Sequence, residues 1–394
     1  MAEINLSKKK SKIKILWISI FTIFICILGI MLFIQFDTPA FASISDNVAR
    51  PLLGNERVLA LEKVFFNSSD NINHLKFSFT KPSAPQFNDV NKPILKKNML
   101  GTFDPTIMAK MTNFLPLDPI TSLHYFPNLP DEGTWQQVKF SLFPSSLVAA
   151  TTFIRPDPER AYATVDILKI DMTNIRMGLV AGTQFPGGPL GNKGLGVVPT
   201  EIQQANTLIA AFSGGFQYAD GKYGMIVGNK TYVPLRNNIA TLVLHKSGKI
   251  EILNYTGQDL GNDVVGIRQN CPMLIDNNFV TANTSLGEAT WGWTDNQSNM
   301  YTIRTGIGIT ENGNLLFAVG KSLLPKTLGI ALKAAGAVNA MQLDINPSWT
   351  RFVIFNSLGN GLYTYDSYDK ALVNGGNAYL HGWNKDFIYL YKGN

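Results

Sequence analysis

The chain has 394 residues, 45% of them hydrophobic and 16% charged, with a net charge of +6. Five lysines against Glu3 put +4 of that charge into the first fourteen residues, leaving +2 for the other 380, which excludes the basic stripe that a nucleic-acid partner requires. Two cysteines, Cys26 and Cys271, and four histidines without metal-ligand spacing exclude a disulfide framework and a dedicated zinc site.

Residues 1–14 form a basic tip, with Lys8, Lys9, Lys10, Lys12 and Lys14 leading into Ile15 to Phe36, twenty-two residues without a charge. About 20 apolar helical residues span a bilayer, so this run predicts one transmembrane helix. Lysines before it and no comparable cluster after it place the amino terminus in the cytoplasm and everything past Asp37 outside. Ala40-Phe41-Ala42 resembles a signal-peptidase site, which makes cleaved secretion the alternative. The run exceeds the usual signal core of about 7 to 15 residues, which favours an uncleaved anchor at 15–36.

Residues 37–137 read as an exported stalk and irregular lead-in, because prolines recur from Pro39 to Pro130 and no long periodic run appears. Val64–Phe66 and Leu75–Phe79 are candidate short strands. From Val138 the texture changes to short apolar runs punctuated by Gly, Asn and Asp, the pattern of one domain over 138–394. Ala161 to Ile170 alternates as a strand does. Leu208 to Phe212 is a strand running into Ser213-Gly214-Gly215-Phe216. Thr241–Leu244 and Lys249–Leu253 flank Ser247-Gly248, and Ile307–Ile309 and Leu315–Val319 flank Asn312-Gly313; both read as hairpins. The fold class is therefore α+β, a mixed, largely antiparallel β-sheet core with flanking helices, preceded by one N-terminal transmembrane helix.

Leu324, Leu328, Ala331, Leu332 and Ala335 recur at helical spacing, with Pro325 suited to the first turn and Gly336 to the position past the end. A buried strand, Ala340 to Leu343, follows and ends in Asp344. Residues just beyond a strand's carboxyl end are held by the scaffold yet open to water, so Asp344 is the candidate for chemistry. The glycine pair after Ser213 offers backbone N–H groups to an anion, or is simply a turn. Arg304, in a strand-like setting, needs anionic partners, either a ligand's phosphate or a structural ion pair with Asp344. Trp291, Trp293 and Trp349 offer flat faces to sugar rings, with core packing the alternative for each. Cys271, with no His near it in sequence, reads as a small buried apolar residue beside a strand.

Several segments, in order, resemble the phosphodiester glycosidase family: Ala210-Ala-Phe-Ser-Gly-Gly-Phe216, Arg304-Thr-Gly-Ile-Gly308, Gly336-Ala-Val-Asn-Ala-Met-Gln-Leu-Asp344 and Lys385-Asp386-Phe387. The similarity covers Thr151 to Leu390. Where many members have Leu-Asp-Gly-Gly-Gly-Ser, this chain has Leu343-Asp-Ile-Asn-Pro-Ser348, and Ser213 stands where Asn is expected, as in a bacterial branch that shares Arg268-Gln-Asn270 and Leu343-Asp-Ile-Asn-Pro347.

The resemblance implies hydrolysis between a sugar anomeric carbon and a phosphodiester oxygen, with no cofactor. It casts Asp344 as the base that activates water or as stabiliser of an oxocarbenium-like transition state, and Arg304 with the Ser213–Gly215 backbone as holders of the departing phosphate. Arg268, Asn270, Trp293, Asn346 and Trp349 are the remaining candidate substrate contacts. The expected partner is an envelope sugar-phosphate or polysaccharide. The alternatives are a tethered binder of such polymers that has lost turnover, in line with Ile345 and Pro347, and an envelope scaffold protein.

Overall fold

The computed structural model describes residue 22, residues 44–85, residues 115, 117, 120 and 123, and residues 125–292 and 299–393. Apart from Thr22, the run Ile15–Phe36 lies outside them, as do the basic tip, Ala40–Ala42 and Trp293. Among the described residues no helix is long and apolar enough to cross a membrane. The chain divides into two units, Met1–Ile72 and Asn73–Asn394.

The expectation of short strands in an irregular lead-in is corrected over the 25-residue helix Asn55–Phe79. Its buried positions Val58, Glu62, Phe65, Phe66 and Asp70 recur at helical spacing. Two of the five are carboxylates, which breaks the apolar stripe that betrays a helix in sequence. Glu62 is accommodated by Arg50, whose Nη2 donates to both carboxylate oxygens at 2.9 Å.

Among the described residues of the second unit there are three sheets, all of whose pairs are antiparallel. The first has eight strands, with Val165–Ile170, Leu315–Leu323, Thr302–Thr310 and Ala337–Gln342 side by side at its centre. The second runs Lys230–Val233, Met225–Val227, Val264–Gln269, Ile239–His245, Ile250–Tyr255. The third runs Leu362–Ser367, Phe352–Gly359, Leu208–Ser213, Phe387–Lys392, Ile175–Val180. Both expected hairpins are present. Gly248 and Gly313 take φ of +90° and +77° at their turns, conformations that cost other residues energy.

One apolar cluster joins all three sheets, with Phe317 from the first, Leu242 and Ile252 from the second, and Phe212 and Phe352 from the third. Phe212 and Phe352 stack at 5.2 Å, and Phe317 closes on Phe352 at 4.7 Å. Each buried ring contributes about 1.5–3 kcal/mol. The helix Pro325–Ala334 places Leu328, Ala331 and Leu332 in a second cluster with strand residues of the first sheet, and Gly336, at φ +97°, turns the chain into Ala337–Gln342. That strand stops at Gln342, two residues short of Asp344. Asp344 therefore leaves the first sheet where the third begins its own strands.

Candidate active site

The Ser213 bend joins the sheets. Asp344 N–H donates to Gly214 O at 3.1 Å, and Thr305 Oγ1 donates to Asp344 O at 2.6 Å, so Asp344 is fixed between the bend and the strand Thr302–Thr310. Ser213 N–H donates to Arg351 O, and Arg351 N–H donates to Ser213 Oγ, which ties the bend to the start of Phe352–Gly359. The glycines are needed for close approach: a Cβ on Gly214 would come within 2.1 Å of Asp386 Oδ2, and one on Gly215 within 2.9 Å of Arg268 Cζ.

The amides of this bend do not await a ligand. Gly214 N–H donates to Asp386 O, Gly215 N–H to Asp386 Oδ2 at 3.2 Å, and Phe216 N–H to Asn270 Oδ1 at 3.0 Å. Protein acceptors thus occupy the amides for which the sequence suggested an anion. Arg268 and Asn270 serve the same structure. Arg268 Nε donates to Asp386 Oδ2 at 2.9 Å and Nη2 to Phe216 O at 2.6 Å, while Asn270 Nδ2 donates to Gln342 O at 2.9 Å. Both side chains are wholly buried and hold the bend.

Arg304 sits in the core at 0% exposure. Its partners include Leu323 O and Met300 O and the amide oxygen of Gln342, at 2.9, 3.1 and 2.9 Å. These three partners tie the guanidinium to the strands and the loop around it. The cation that meets Asp344 is Lys385, with Nζ 3.7 Å from Oδ2.

Asp344 is itself buried, at 4% exposure. Burial raises its pKa above the ordinary carboxylate value; Lys385 and the Asn346 amide, which donates to Oδ1 at 2.9 Å, pull it down, and nearby Asp386 adds to the rise. Asn346 Oδ1 in turn accepts from Ser348 N–H, so two side-chain-capped turns in succession carry the chain past Pro347. Ile345 joins the apolar cluster on the helix side of the first sheet. Asn346 therefore shapes the turn around Asp344.

Aromatic and cationic groups alternate beside this carboxyl. Lys385 Nζ lies 4.0 Å from the Trp349 ring centroid, Trp349 lies 5.5 Å from Trp383, and Arg351 Cζ lies 3.8 Å from the Trp383 centroid. Both indoles are partly exposed, whereas Trp291 is buried in the core, its Nε1 donating to Asn283 O. Cys271 is buried, with a Gln342 Nε2 contact at 3.6 Å. Among the described residues no cluster of His, Cys, Asp and Glu has the makings of a metal centre.

Sequence reasoning passed over Lys385, Asp386, Arg351, Tyr379 and Trp383. Lys385-Asp386 stood in the family-like closing segment, a signal that named the pair without its role; the other three carried none.

Residues 206–372 match the family model of phosphodiester glycosidases. Among solved structures, the catalytic domain of zebrafish N-acetylglucosamine-1-phosphodiester alpha-N-acetylglucosaminidase, auto-inhibited by its pro-peptide, is similar at 14% identity and a TM-score of 0.41, over 63% of this chain and 85% of that one. A hypothetical protein from Synechocystis is similar at 13% identity and a TM-score of 0.29, over 63% of this chain and 62% of that one. No curated protein matches the chain.

Proposed function

The chain carries a phosphodiester glycosidase domain over residues 206–372, and on that premise we propose that it hydrolyses the sugar–phosphate bond of a sugar-1-phosphodiester in an extracytoplasmic glycopolymer. The observation that carries this reading is a buried carboxyl, Asp344, paired with Lys385 at the ends of two strands and flanked by the partly exposed indoles of Trp349 and Trp383.

The chemistry follows from the pairing. Ionised Asp344 takes a proton from water, the water oxygen bonds to the anomeric carbon, and the bond from that carbon to the phosphate oxygen breaks with its electron pair going to phosphate. A free sugar and a phosphate monoester result. A raised carboxyl pKa makes Asp344 a stronger base than an exposed aspartate. The leaving phosphate is weakly basic, so cationic help at its oxygens outweighs protonation, and Lys385 is the cation beside Asp344. The indole faces suit a sugar ring.

The uncharged run Ile15–Phe36 behind five lysines supports a single-pass anchor with the catalytic unit outside the cytoplasm, which is where an envelope sugar-phosphate polymer is found.

The test is release of reducing sugar from a GlcNAc-1-phosphodiester by the full-length protein and by Asp344→Asn. Release by the wild type, lowered about a hundredfold or more in the variant, is the expected result. Saturable binding without release would instead make the chain a sugar-phosphate binder, and equal release by both proteins would remove Asp344 from the mechanism.

A further inference from the structure

Arg351, which leads into the strand Phe352–Gly359, is buried to 9% exposure, and its Nε and Nη1 have no hydrogen-bond partner among the described residues. The guanidinium is nonetheless held firmly. The Trp383 ring covers it at 3.8 Å, and a Cβ on Gly375 would come within 2.7 Å of Cζ, so it is clamped between an indole and bare backbone.

The nearby carboxyls are committed elsewhere: Asp386 to Arg268 and Gly215 N–H, Asp344 to Lys385 and Asn346 N–H. Among Lys385, Arg268 and Arg351, three cations thus face two carboxyls, and the excess charge belongs to Arg351.

A second unsatisfied donor stands beside it. Tyr379, on the helix Gly376–His381, is wholly buried, and its hydroxyl makes no hydrogen bond of regular geometry among the described residues. Arg351, Ser213, Asp344 and Asp386 surround it. Burial pushes the phenol up to about 12 against the pull of Arg351 and of a polar contact with Ser213, so it remains an O–H donor across the working pH range.

Buried donors without acceptors are costly, each by about 1–3 kcal/mol and more when charged. Three of them on two adjoining side chains, around one surplus positive charge, constitute a site prepared for an oxyanion. We propose that Arg351 and Tyr379 form the phosphate-recognition site of this domain, the guanidinium and the phenol donating hydrogen bonds to the phosphate of the substrate. The inference rests on the hydrolytic reading for the identity of the anion. It gives Arg351 the role that sequence assigned to Arg304, and it makes Trp383 a support for the guanidinium.

Inorganic phosphate is the probe. Titrated calorimetrically into the full-length protein, it should bind the wild type and bind Arg351→Gln about tenfold or more weaker, with a smaller loss in Tyr379→Phe. Without phosphate, Arg351→Gln should unfold at a temperature no lower than the wild type, because it relieves an uncompensated buried charge; added phosphate should raise the wild-type midpoint and leave that of the variant in place. A guanidinium with a merely structural role predicts the reverse, a lower midpoint and no phosphate effect in either protein. KM for a sugar-1-phosphodiester should rise in parallel with the loss of phosphate affinity.

Should Arg351→Gln fail to fold, Gly375→Ala, which displaces the guanidinium and keeps the charge, and Tyr379→Phe decide the same titration. Equal phosphate affinity in wild type and variants, or none in the wild type, overturns the proposal. Asp344-dependent hydrolysis with an unchanged KM in Arg351→Gln would leave the hydrolytic reading standing and this site refuted. Arg351-dependent phosphate binding without hydrolysis would do the opposite.

Discussion

Lys385 Nζ lies 3.7 Å from Asp344 Oδ2, and both side chains are almost wholly withdrawn from solvent. The two residues sit 41 positions apart, just outside strands of different sheets, yet the ammonium is the largest single influence lowering the pKa of a carboxyl that burial drives upward. At this separation the contact is a Coulomb pairing rather than a close hydrogen bond, so the pair tunes charge more than it locks geometry.

A pH prediction follows. The base role needs ionised Asp344, so activity should grow as pH rises through the raised pKa, on a limb displaced upward from the ordinary carboxylate range. Lys385→Met removes the main lowering influence, and the limb of kcat/KM should therefore move to still higher pH. A limb that stays in place or moves down would show that Lys385 does not act on the titrating group.

The pair Arg268–Asp386 should behave differently, because it is structural. Asp386 accepts from Arg268 Nε and Nη2 at 2.9 and 3.2 Å and also from the Gly215 amide, all inside the core. Asp386→Asn leaves a buried guanidinium short of its counter-charge and should cost about 3–5 kcal/mol in urea unfolding. Replacing both residues, Arg268→Met with Asp386→Leu, should recover a large part of that loss. A double variant no more stable than Asp386→Asn would mean that the bend depends on the polar contacts themselves.

Two glycine substitutions separate close approach from backbone conformation. Gly214→Ala drives a methyl against Asp386 Oδ2 and should destabilise by about 1–3 kcal/mol while shifting the bend that positions Asp344. Gly313→Ala meets nothing within 4 Å but must hold φ at +77°, which costs about 1 kcal/mol at a turn remote from the site. Activity should fall in the first and persist in the second. Equal loss of activity at equal stability would separate the bend from the function.

How much of this was legible in sequence depends on which contacts make each feature. The helix–turn–strand leading to Asp344 and the two hairpins are local, written in apolar period and in Gly336, Gly248 and Gly313. The bend at Ser213 was legible as a bend, but not its occupant, because Asp386 arrives from 171 residues away. Arg304 was legible as buried, but not its partners Leu323 O and the Gln342 amide oxygen, which come from 19 and 38 residues away. Arg351 and Tyr379 gave no signal at all. Their interest lies in partners they lack, which only the assembled fold reveals. The helix Asn55–Phe79 was concealed by Glu62 and Asp70 in buried positions.

Asp166 and Asp369 provide the last prediction, on stability rather than turnover. Both carboxyls are buried; Asp166 lies on the strand Val165–Ile170, and Asp369 follows the strand Leu362–Ser367. Burial, then the charge of Asp369, then a hydrogen bond to it raise the Asp166 pKa well above its ordinary value, so Asp166 keeps its proton and donates it to Asp369. A carboxyl with a raised folded-state pKa binds its proton more tightly folded than unfolded. Its contribution is fully present below the unfolded value and is lost as pH rises from there toward the folded one, at up to about 1.4 kcal/mol per pH unit. Asp166→Asn retains a donor for Asp369 and cannot ionise. Its stability relative to the wild type should therefore improve steadily as pH rises from about 4. Thermal unfolding of the two proteins across that range reads the difference directly, and parallel profiles would show that the two carboxyls do not share a proton.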